Sequence, residues 1–478
     1  MFFKQIEDPY LAQYAYLIGC QATGEALLID PERDIDRYVE LALQNNLRIV
    51  AVAESHIHAD FVSGVREFAS NYSVRVYLSG EGGSDWQYQW QAESPARLFH
   101  LKHGDVFHVG NVEIEAVHTP GHTPEHICFM ITDKGSGADD PIGIITGDFV
   151  FVGDVGRPDL LESAAGMQGN KEPSARALYR SLLEFFQLPD YLHLWPGHGA
   201  GSVCGKALGA IPDSTVGYER RFNSSLRAAQ SGEERFVREI LHGQPEPPMY
   251  FAMMKRWNKQ GPPLLPSEFS LATIQPEKLQ ALSRNSDTII IDTRLDREQF
   301  FGGYIHGSLW APLTKSFTGY AGSFVQPEQK IVVLCHDSQA ELAVRLLWRI
   351  GLDNILGYCS TNDFDKWRKQ VKPALETLSV TTYEKALSQG DAYLLLDVRG
   401  EAEYEDGHLP GAVCIPHTRL ASRLSELPRG KKIAVHCSAG GRSTSAATFL
   451  KRMGFDAAAI NEGIETAASF LVRETETV

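Results

Sequence analysis

Short apolar runs alternate with amphipathic stretches along the first half of the chain. Residues 47–53 (LRIVAVA) are mostly apolar and rich in β-branched side chains, and they predict a buried strand. The spacing of apolar positions over residues 35–44 predicts an amphipathic helix before it. The same reasoning predicts further strands over 14–20, 25–30, 74–78, 112–117, 142–146 and 191–195. Strands and helices that alternate in this way are typical of α/β and α+β proteins.

Four of the predicted strands end in loops that carry histidine or aspartate among polar residues, glycines and prolines. These loops are 54–61 (ESHIHADF), 118–126 (HTPGHTPEH), 147–148 (GD) and 196–199 (PGHG). Open α/β sheets bind ligands at the carboxyl ends of their strands, and imidazole and carboxylate groups bind transition metals. Loop hydrogen bonds often explain a single His-x-His pair, but the repetition at four strand ends favours a metal site.

The size, charge and cysteine usage of the chain narrow its class. A chain of 478 residues is too long to fold around one hydrophobic core, so we expect about two to four domains. A net charge of −15, spread along the chain, argues against nucleic acid and anionic membranes as main partners. The chain has seven scattered cysteines, no apolar run of membrane-spanning length and no signal-peptide pattern at its start. These features predict a cytoplasmic protein with reduced thiols, and we also expect a homo-oligomer.

The four loops resemble, in order and spacing, the metal loops of the metallo-β-lactamase fold over about residues 1–215. The motifs that carry the resemblance are His56-x-His58-x-Asp60, Thr119-Pro120-Gly121-His122-Thr123, Thr146-Gly147-Asp148 and Pro196-Gly197-His198. The resemblance implies an αββα sandwich with the metal at one sheet edge. Phe61 departs from the pattern, because dinuclear hydrolases such as glyoxalase II have histidine there. Phenylalanine cannot bind a metal, which disfavours a two-metal site, although Asp60 and His198 remain.

Persulfide dioxygenases of this fold bind one Fe(II) through two histidines and one carboxylate, a set suited to oxygen chemistry. The resemblance implies that His58, His122 and Asp148 are the ligands here. It assigns His56, Asp60 and His198 to a surrounding layer that orients the ligands and holds water. Whether His56 is itself a ligand stays open, and zinc bound by three histidines and the aspartate is the alternative.

Two further residues near the loops are candidates for function. Arg157 could bind a substrate carboxylate through its planar guanidinium, or it could form a salt bridge with Asp154 or Asp159. Cys204 follows His198 closely and could be an activated thiol, or it could be a small core residue.

The second half of the chain contains an internal repeat with an offset near 100 residues. Segments 289–294 (IIIDTR), 303–308 (GYIHGS) and 330–335 (KIVVLC) correspond to 394–399 (LLLDVR), 407–412 (GHLPGA) and 432–437 (KIAVHC). Both copies resemble rhodanese domains, which are small α/β domains. We therefore predict a metallo-β-lactamase-like domain over 1–262, a degenerate rhodanese-like domain over 263–375 and a rhodanese domain over 376–478, with a Pro-rich linker at 260–266.

The loop after the last of these strands predicts a reactive cysteine. Cys437 is followed by a persulfide cradle of small residues, Ser438, Ala439, Gly440 and Gly441, and then by Arg442. Backbone N–H groups and a helix N-terminus stabilise a thiolate, and Arg442 adds positive charge for an anionic substrate. Tyrosine phosphatases place one more residue before the arginine, so the shorter loop favours sulfur transfer. The first copy has HDSQAE after Cys335, without the glycine pair or the arginine, and we interpret it as structural or as a docking domain.

The order of domains resembles bacterial fusions of a persulfide dioxygenase with sulfurtransferases. This implies oxidation of glutathione persulfide, or another low-molecular-weight thiol persulfide, by O2 to sulfite, with one Fe(II) per chain. Cys437 would then form or consume thiosulfate, in sulfide detoxification. Two alternatives stay open: a dizinc thioester hydrolase of glyoxalase II type fused to a sulfurtransferase, and a non-catalytic persulfide relay or sensor.

Overall fold

Two units, residues 1–267 and 268–478, make up the chain in the computed structural model. The structure describes residues 1–90, 96–163, 169–368, 375–379 and 393–462. Among these residues, no helix has both the length and the apolar character needed to cross a bilayer. The predicted boundary between the two repeats, at 375, adjoins residues 369–374, which lie outside the described residues, and it stays a prediction.

The first unit contains two six-stranded sheets. The first sheet, in spatial order, is β1 (Phe2–Asp8), β2 (Gln13–Cys20), β3 (Glu25–Ile29), β4 (Arg48–Ala53), β5 (Arg75–Ser79) and β6 (Arg97–Leu101). In chain order, the second sheet consists of β7 (Val106–Val109), β8 (Val112–His118), β9 (Ile127–Asp133), β10 (Gly143–Gly147), β11 (His193–Pro196) and β12 (Ser214–Thr215). In the first sheet, β3, β4, β5 and β6 are parallel, each paired with the next. In the second sheet, β10 pairs with β11 in parallel.

The helices of this unit cover the outer faces of the two sheets. They are α1 (Asp36–Gln44), α2 (Val65–Asn71), α3 (Leu160–Ser163), α4 (Lys171–Phe185), α5 (Val216–Phe222), α6 (Ser224–Gln230), α7 (Glu233–Leu241) and α8 (Phe251–Gln260). Tyr38 and Phe68, from α1 and α2, pack with Leu28 on the first sheet. Leu178 and Phe236, from α4 and α7, join the cluster on the second sheet.

The main core lies between the two sheets. Tyr16 and Ile29 of the first sheet share one buried cluster with Phe129, Ile145 and Trp195 of the second. Strand β2 is buried along its whole length because it has apolar neighbours on both faces. Helices outside and two sheets inside form an αββα sandwich, which confirms the predicted fold class for this half.

The second unit contains two smaller parallel sheets, one for each copy of the repeat. The first sheet runs β14 (Leu309–Trp310), β13 (Thr288–Asp292), β15 (Lys330–Cys335) and β16 (Ile355–Ser360). The second runs β17 (Thr377–Leu378), β21 (Ala457–Ile460), β20 (Lys432–His436), β18 (Tyr393–Asp397) and β19 (Val413–Cys414). The helices are α9 (Pro276–Ser283), α10 (Arg297–Phe301), α11 (Phe317–Phe324), α12 (Ala340–Arg349), α13 (Thr361–Trp367), α14 (Glu401–Asp406), α15 (His417–Leu420) and α16 (Gly441–Arg452).

The repeated Asp-x-Arg motif makes the same contact in both copies. The Arg294 guanidinium binds the Asp292 carboxylate at the end of β13, with Nη2 at 2.6 Å from Oδ2. Arg399 binds Asp397 at the end of β18 in the same way, at 2.7 Å. All four side chains are buried or nearly so. Each arginine also reaches the carbonyl of Gly303 or Gly407, the corresponding glycine of its copy, so the motif joins the strand end to the following loop.

Candidate functional site

The four polar loops meet at one end of the sandwich. His56 follows β4 of the first sheet, whereas His122, Asp148 and His198 follow β8, β10 and β11 of the second. Their side chains lie in two adjoining groups of potential metal ligands. The site therefore exists only where the two sheets are packed together.

His56, His122 and Asp148 form the first group, in which one ligand atom from each residue lies within 4.8 Å of the others. Asp148 Oδ2 is 3.5 Å from His122 Nε2 and 4.0 Å from His56 Nε2. Each of the three residues is at most 2% exposed. Within the described residues, His56 Nε2 and Asp148 Oδ2 have no hydrogen-bond partner. Buried polar atoms without partners are costly, and a metal ion bound by all three residues satisfies them, so the group fits a metal.

Asp60, His198 and Cys204 form a second group beside the first. His198 Nε2 lies 3.2 Å from Asp60 Oδ2 and 3.4 Å from Asp148 Oδ1, so it joins the two groups. Burial lowers the pKa of His198, but Asp148 and its other neighbours outweigh this and raise it well above its usual value. The two carboxylates thus favour the protonated form of His198 when no metal is bound.

His58 does not join either group of potential ligands among the described residues. Its Nε2 lies 3.2 Å from Asp30 Oδ1. Burial alone would lower the pKa of His58, but the Asp30 carboxylate raises it to about 9, so this nitrogen holds a proton. A metal needs a neutral imidazole. Of the two histidines of this loop, the structure brings His56, rather than His58, together with His122 and Asp148; the predicted triad of His58, His122 and Asp148 stays a prediction.

Hydrogen bonds from the far side of each ring fix the orientation of the histidines. His122 Nδ1–H donates to the Arg157 carbonyl at 3.0 Å, and His198 Nδ1–H donates to the Ala12 carbonyl at 3.1 Å. His56 Nδ1 lies 2.9 Å from Ser55 Oγ. For His56 and His122, such contacts select the tautomer whose Nε2 is free to bind a metal. Burial lowers the pKa of both His56 and His122, which keeps these rings neutral as ligands must be.

Arg157 is held by the protein itself. Its guanidinium binds Asp159 with two hydrogen bonds of 2.8 and 2.6 Å, and it also donates to the carbonyls of Val203 and Pro245. Its side chain is 1% exposed. This is the alternative that the sequence left open, a salt bridge with Asp159, and the geometry gives no support to a substrate contact.

Cys204 lies inside the second group rather than in the apolar core. Burial raises the pKa of its thiol to about 12, and the neighbouring His198 opposes that shift. Without a metal the sulfur is therefore a neutral thiol at physiological pH. Its place beside His198 brings it to the metal end of the sandwich, and its chemical role stays a prediction.

Two residues that the motifs did not single out support the site. The Asp148 backbone N–H donates to His126 Nε2 at 3.0 Å, which fixes the loop that carries this carboxylate. Asp30, at the end of β3, accepts hydrogen bonds from both His58 and the Ser55 backbone. His126 belongs to the 118–126 loop, and Asp30 ends a predicted strand. Their positions at strand ends were the signal in the sequence that could have assigned them to the site.

Backbone N–H groups surround the sulfur of Cys437. Its Sγ accepts backbone N–H groups from Gly440 at 3.2 Å and Ser443 at 3.3 Å, at the start of α16. Gly440 has φ +83°, a conformation that favours glycine. The Ser438 hydroxyl, which the sequence assigned to the cradle, donates to Glu403. The thiol is 1% exposed, at the base of the loop.

Glu403 binds the arginine of this loop. Arg442 donates to both carboxylate oxygens of Glu403, at 2.5 and 2.7 Å. Burial alone would raise the pKa of Glu403, but the contact with Arg442 lowers it to about 2. The two side chains therefore form a persistent ion pair, which the sequence did not indicate.

Cys335 of the first repeat lacks such surroundings. It is fully buried, and burial together with Asp337 raises the pKa of its thiol to about 12. A neutral, buried thiol agrees with the interpretation of the first repeat as a structural or docking domain.

Two family models match the chain. Residues 9–198 match the metallo-beta-lactamase superfamily, and residues 275–370 and 379–468 each match the rhodanese-like domain. A crystal structure of a metallo-beta-lactamase from Staphylococcus aureus subsp. aureus COL is 39% identical in sequence, with a TM-score of 0.67. That match covers 75% of this chain and 99% of the other.

Two kinds of curated relative match the first half. The mitochondrial persulfide dioxygenase of Homo sapiens is 28% identical over 229 residues, which cover 47% of this chain and 75% of the relative. A probable hydroxyacylglutathione hydrolase of Schizosaccharomyces pombe is 29% identical over 189 residues, or 39% of this chain and 63% of the relative.

Proposed function

The chain belongs to the metallo-β-lactamase superfamily and carries two rhodanese-like domains after that unit, and we propose that it is a persulfide dioxygenase coupled to a sulfurtransferase. Its substrates are glutathione persulfide, or another low-molecular-weight thiol persulfide, and O2, and its product is sulfite. Cys437 exchanges sulfane sulfur with thiosulfate. Sulfide detoxification is the role that these two reactions support together.

The group of His56, His122 and Asp148 carries this proposal. Two imidazoles and one carboxylate are the ligand set of many non-haem Fe(II) enzymes that use O2. Phe61, which is fully buried, removes a possible ligand beside Asp60. Relatives named persulfide dioxygenase align with this half of the chain. One Fe(II) per chain is the metal we propose.

The residues around the group orient the metal ligands and bind the substrate, and they do not themselves react. Bound here, Fe(II) supplies open coordination positions and the redox chemistry that oxidation by O2 requires. His122 and His56 keep their rings fixed through Nδ1, and His126 fixes the backbone of Asp148. His198 Nε2 lies 3.2 Å from Asp60 Oδ2 and 3.4 Å from Asp148 Oδ1, so it orients both carboxylates beside the metal site. Burial of the whole group excludes bulk water.

Sulfur transfer at Cys437 is a displacement at sulfur. The Cys437 thiolate attacks the sulfane sulfur of thiosulfate, the new S–S bond forms, and sulfite leaves with the electron pair of the broken S–S bond. A low-molecular-weight thiolate then takes the sulfur from Cys437 and regenerates the thiolate. The N–H groups of Gly440 and Ser443 stabilise the negative charge on Sγ before and after each displacement.

A dinuclear thioester hydrolase is the second candidate. The group of Asp60, His198 and Cys204 offers ligands for a second metal beside the first, and a probable hydroxyacylglutathione hydrolase is among the relatives. This candidate predicts two metal ions per chain and hydrolysis of S-lactoylglutathione.

The test is oxygen uptake by the full chain, purified without air and loaded with Fe(II), on addition of glutathione persulfide. We expect rapid uptake with formation of sulfite. His122→Ala removes a ligand and should abolish uptake together with iron binding. The matched control is His108→Ala, because the His108 side chain is 53% exposed on β7, and it should behave as the wild type.

No oxygen uptake by a chain with a full complement of iron would overturn the dioxygenase proposal. Hydrolysis of S-lactoylglutathione by the zinc-loaded chain would then support the second candidate. Absence of both activities, with a stable persulfide on Cys437, would support a relay or sensor.

A further inference from the structure

The loop that carries His56 and Asp60 is held by a residue far along the chain. Residues 54–63 lie between β4 and α2, and nearly all of them are buried. Buried backbone groups that no neighbouring strand pairs need other hydrogen-bond partners. Asn258 of α8 makes three hydrogen bonds to the backbone of this loop, so one side chain from α8 sets the path of the loop.

Asn258 uses both the nitrogen and the oxygen of its side-chain amide. Its Nδ2 donates to the carbonyls of His58 and Phe61, at 2.9 and 2.7 Å, and its Oδ1 accepts the Ser63 N–H at 2.9 Å. The residue is 2% exposed, so bulk water does not compete for these contacts. Asparagine offers two donors and an acceptor at this place, whereas aspartate keeps only the acceptor and alanine keeps neither.

The start of the same loop is held by the second sheet. The Ile127 N–H donates to the Ser55 carbonyl at 2.8 Å, and the Ile57 N–H donates to Glu125 Oε1 at 2.9 Å. His56 therefore lies on a loop with two anchors, one at the second sheet and one on α8. Its distance from the other members of the metal group depends on both.

Helix α8 is itself fixed by contacts that do not involve the loop. Lys259 Nζ donates to the Asp85 carbonyl at 2.7 Å. Lys255 Nζ lies 3.8 Å from the centre of the Trp86 ring, within the range of a cation–π contact. These contacts hold α8 against residues 85–86, so replacing Asn258 should act on the loop and leave the helix in place.

The chain that leaves α8 is fixed as well. The Pro262 and Pro263 carbonyls accept hydrogen bonds from the guanidinium groups of Arg66 and Arg33. Arg33 is only 1% exposed. The start of the Pro-rich segment that the sequence predicts as a linker is therefore bound to the first unit, and α8 is fixed at its C-terminal end too.

We propose that Asn258 is a positioning residue of the metal centre, which holds the loop so that His56 meets His122 and Asp148. Its three contacts are with backbone groups, so it acts through the position of the loop and not on the metal itself. This inference rests on the metal centre of the proposed function and adds to it a residue from α8. Loss of the contacts should lower the affinity for a metal and change the geometry of binding, because one of the three ligands moves.

The first experiment titrates the metal-free full chain with Co(II) against a chelator and records the visible absorption, which depends on the coordination geometry. Asn258→Asp keeps the size of the side chain and the acceptor for Ser63, and it replaces the donor nitrogen by an oxygen. We expect the affinity for Co(II) to fall about tenfold or more and the spectrum to change. Asn71→Asp is the matched control, because the Asn71 amide also donates to a backbone carbonyl, that of Glu67 at 2.8 Å, and it should behave as the wild type.

The second experiment is urea unfolding of the same metal-free chains, which separates positioning from stability. Asn258→Ala removes all three contacts without adding a charge, and it should show the same loss of affinity if the aspartate variant does not fold. A lower stability with the affinity and spectrum of the wild type would show that Asn258 only supports the fold, and would overturn the inference. A loss of affinity with the wild-type spectrum would overturn it as well, because the ligands would then keep their arrangement.

Failure of the proposed function gives a different result. Co(II) binding that is lost in His122→Ala shows that the group binds a metal. If the wild type passes this test but takes up no oxygen when loaded with Fe(II), the proposed function fails, and the Asn258 variants still decide the inference. If the wild type takes up oxygen and both Asn258 variants bind Co(II) as the wild type does, the proposed function stands and the inference fails. A wild-type chain that binds no metal at this group would overturn both.

Discussion

His436 makes the second unit sensitive to acid, and replacing it tests how burial acts on this repeat. The residue ends β20, immediately before Cys437, and is 2% exposed. Burial lowers the pKa of His436 to about 4, against an ordinary value of 6.5, and the neighbouring Asp397 opposes the shift only in part because Arg399 already binds that carboxylate. At neutral pH the ring is therefore neutral in the folded chain.

The sign of the effect follows from which state takes up the proton. The unfolded chain binds a proton at His436 near pH 6.5, and the folded chain binds it only near pH 4. Between these two pKa values, acid favours the unfolded chain. The stabilisation that the neutral His436 ring contributes is therefore complete above pH 6.5 and is lost as the pH falls toward 4. Between about pH 7.5 and about pH 5, the two pKa values correspond to a loss of about 2 kcal/mol from the free energy of unfolding.

The measurement is urea unfolding of the full chain, followed by hydrogen exchange of the α16 amides, at these two pH values. His436→Leu keeps a similar volume and removes the titration, so it should retain about 2 kcal/mol more than the wild type at the lower pH. The control His306→Leu replaces an exposed histidine of the other repeat and should lose stability as the wild type does. If His436→Leu loses as much as the wild type, the reasoning about this residue is refuted.

Two further predictions concern the two candidate sites. Phe61→His places an imidazole next to Asp60, so the metal content should rise from one ion toward two per chain by elemental analysis, whereas Phe61→Leu should leave it unchanged. Gly440→Ala forces alanine into a left-handed conformation at φ +83° and against Arg297, at a cost of about 1–2 kcal/mol or more. It should slow sulfur loading of Cys437 at least about tenfold. Gly430→Ala, where no heavy atom lies within 4 Å of an added Cβ, should be neutral, and equal rates for the two variants would contradict the argument.

The sequence was sufficient to predict the architecture because strand ends and repeats leave local signals. The strand over 47–53, the polar loops after four strands and the duplicated Asp-x-Arg motif each depend on a few neighbouring residues. The αββα sandwich and the two rhodanese-like domains follow from them, and both are confirmed.

The choice between His56 and His58 lay beyond the sequence. Both residues occupy one loop, where side chains do not alternate with the regularity of a strand. What separates them is Asp30, which lies more than twenty residues earlier and reaches His58 at 3.2 Å only after β3 and β4 pair. The contact of Arg297 with the Cys437 loop, where Nη1 donates to the Ala439 carbonyl at 2.9 Å, was hidden for the same reason, since it depends on how two repeats pack and leaves no local pattern.

The division of the metal group between two sheets has a consequence for when the chain can acquire its metal. His56 precedes the other two members by more than sixty residues, and a growing chain that has produced only the first sheet has no complete group. Metal uptake is therefore a late event of synthesis that follows docking of the second sheet. A metal that binds only the assembled sandwich then holds the two sheets together. Loss of the ion should release the interface between them before it affects either sheet alone.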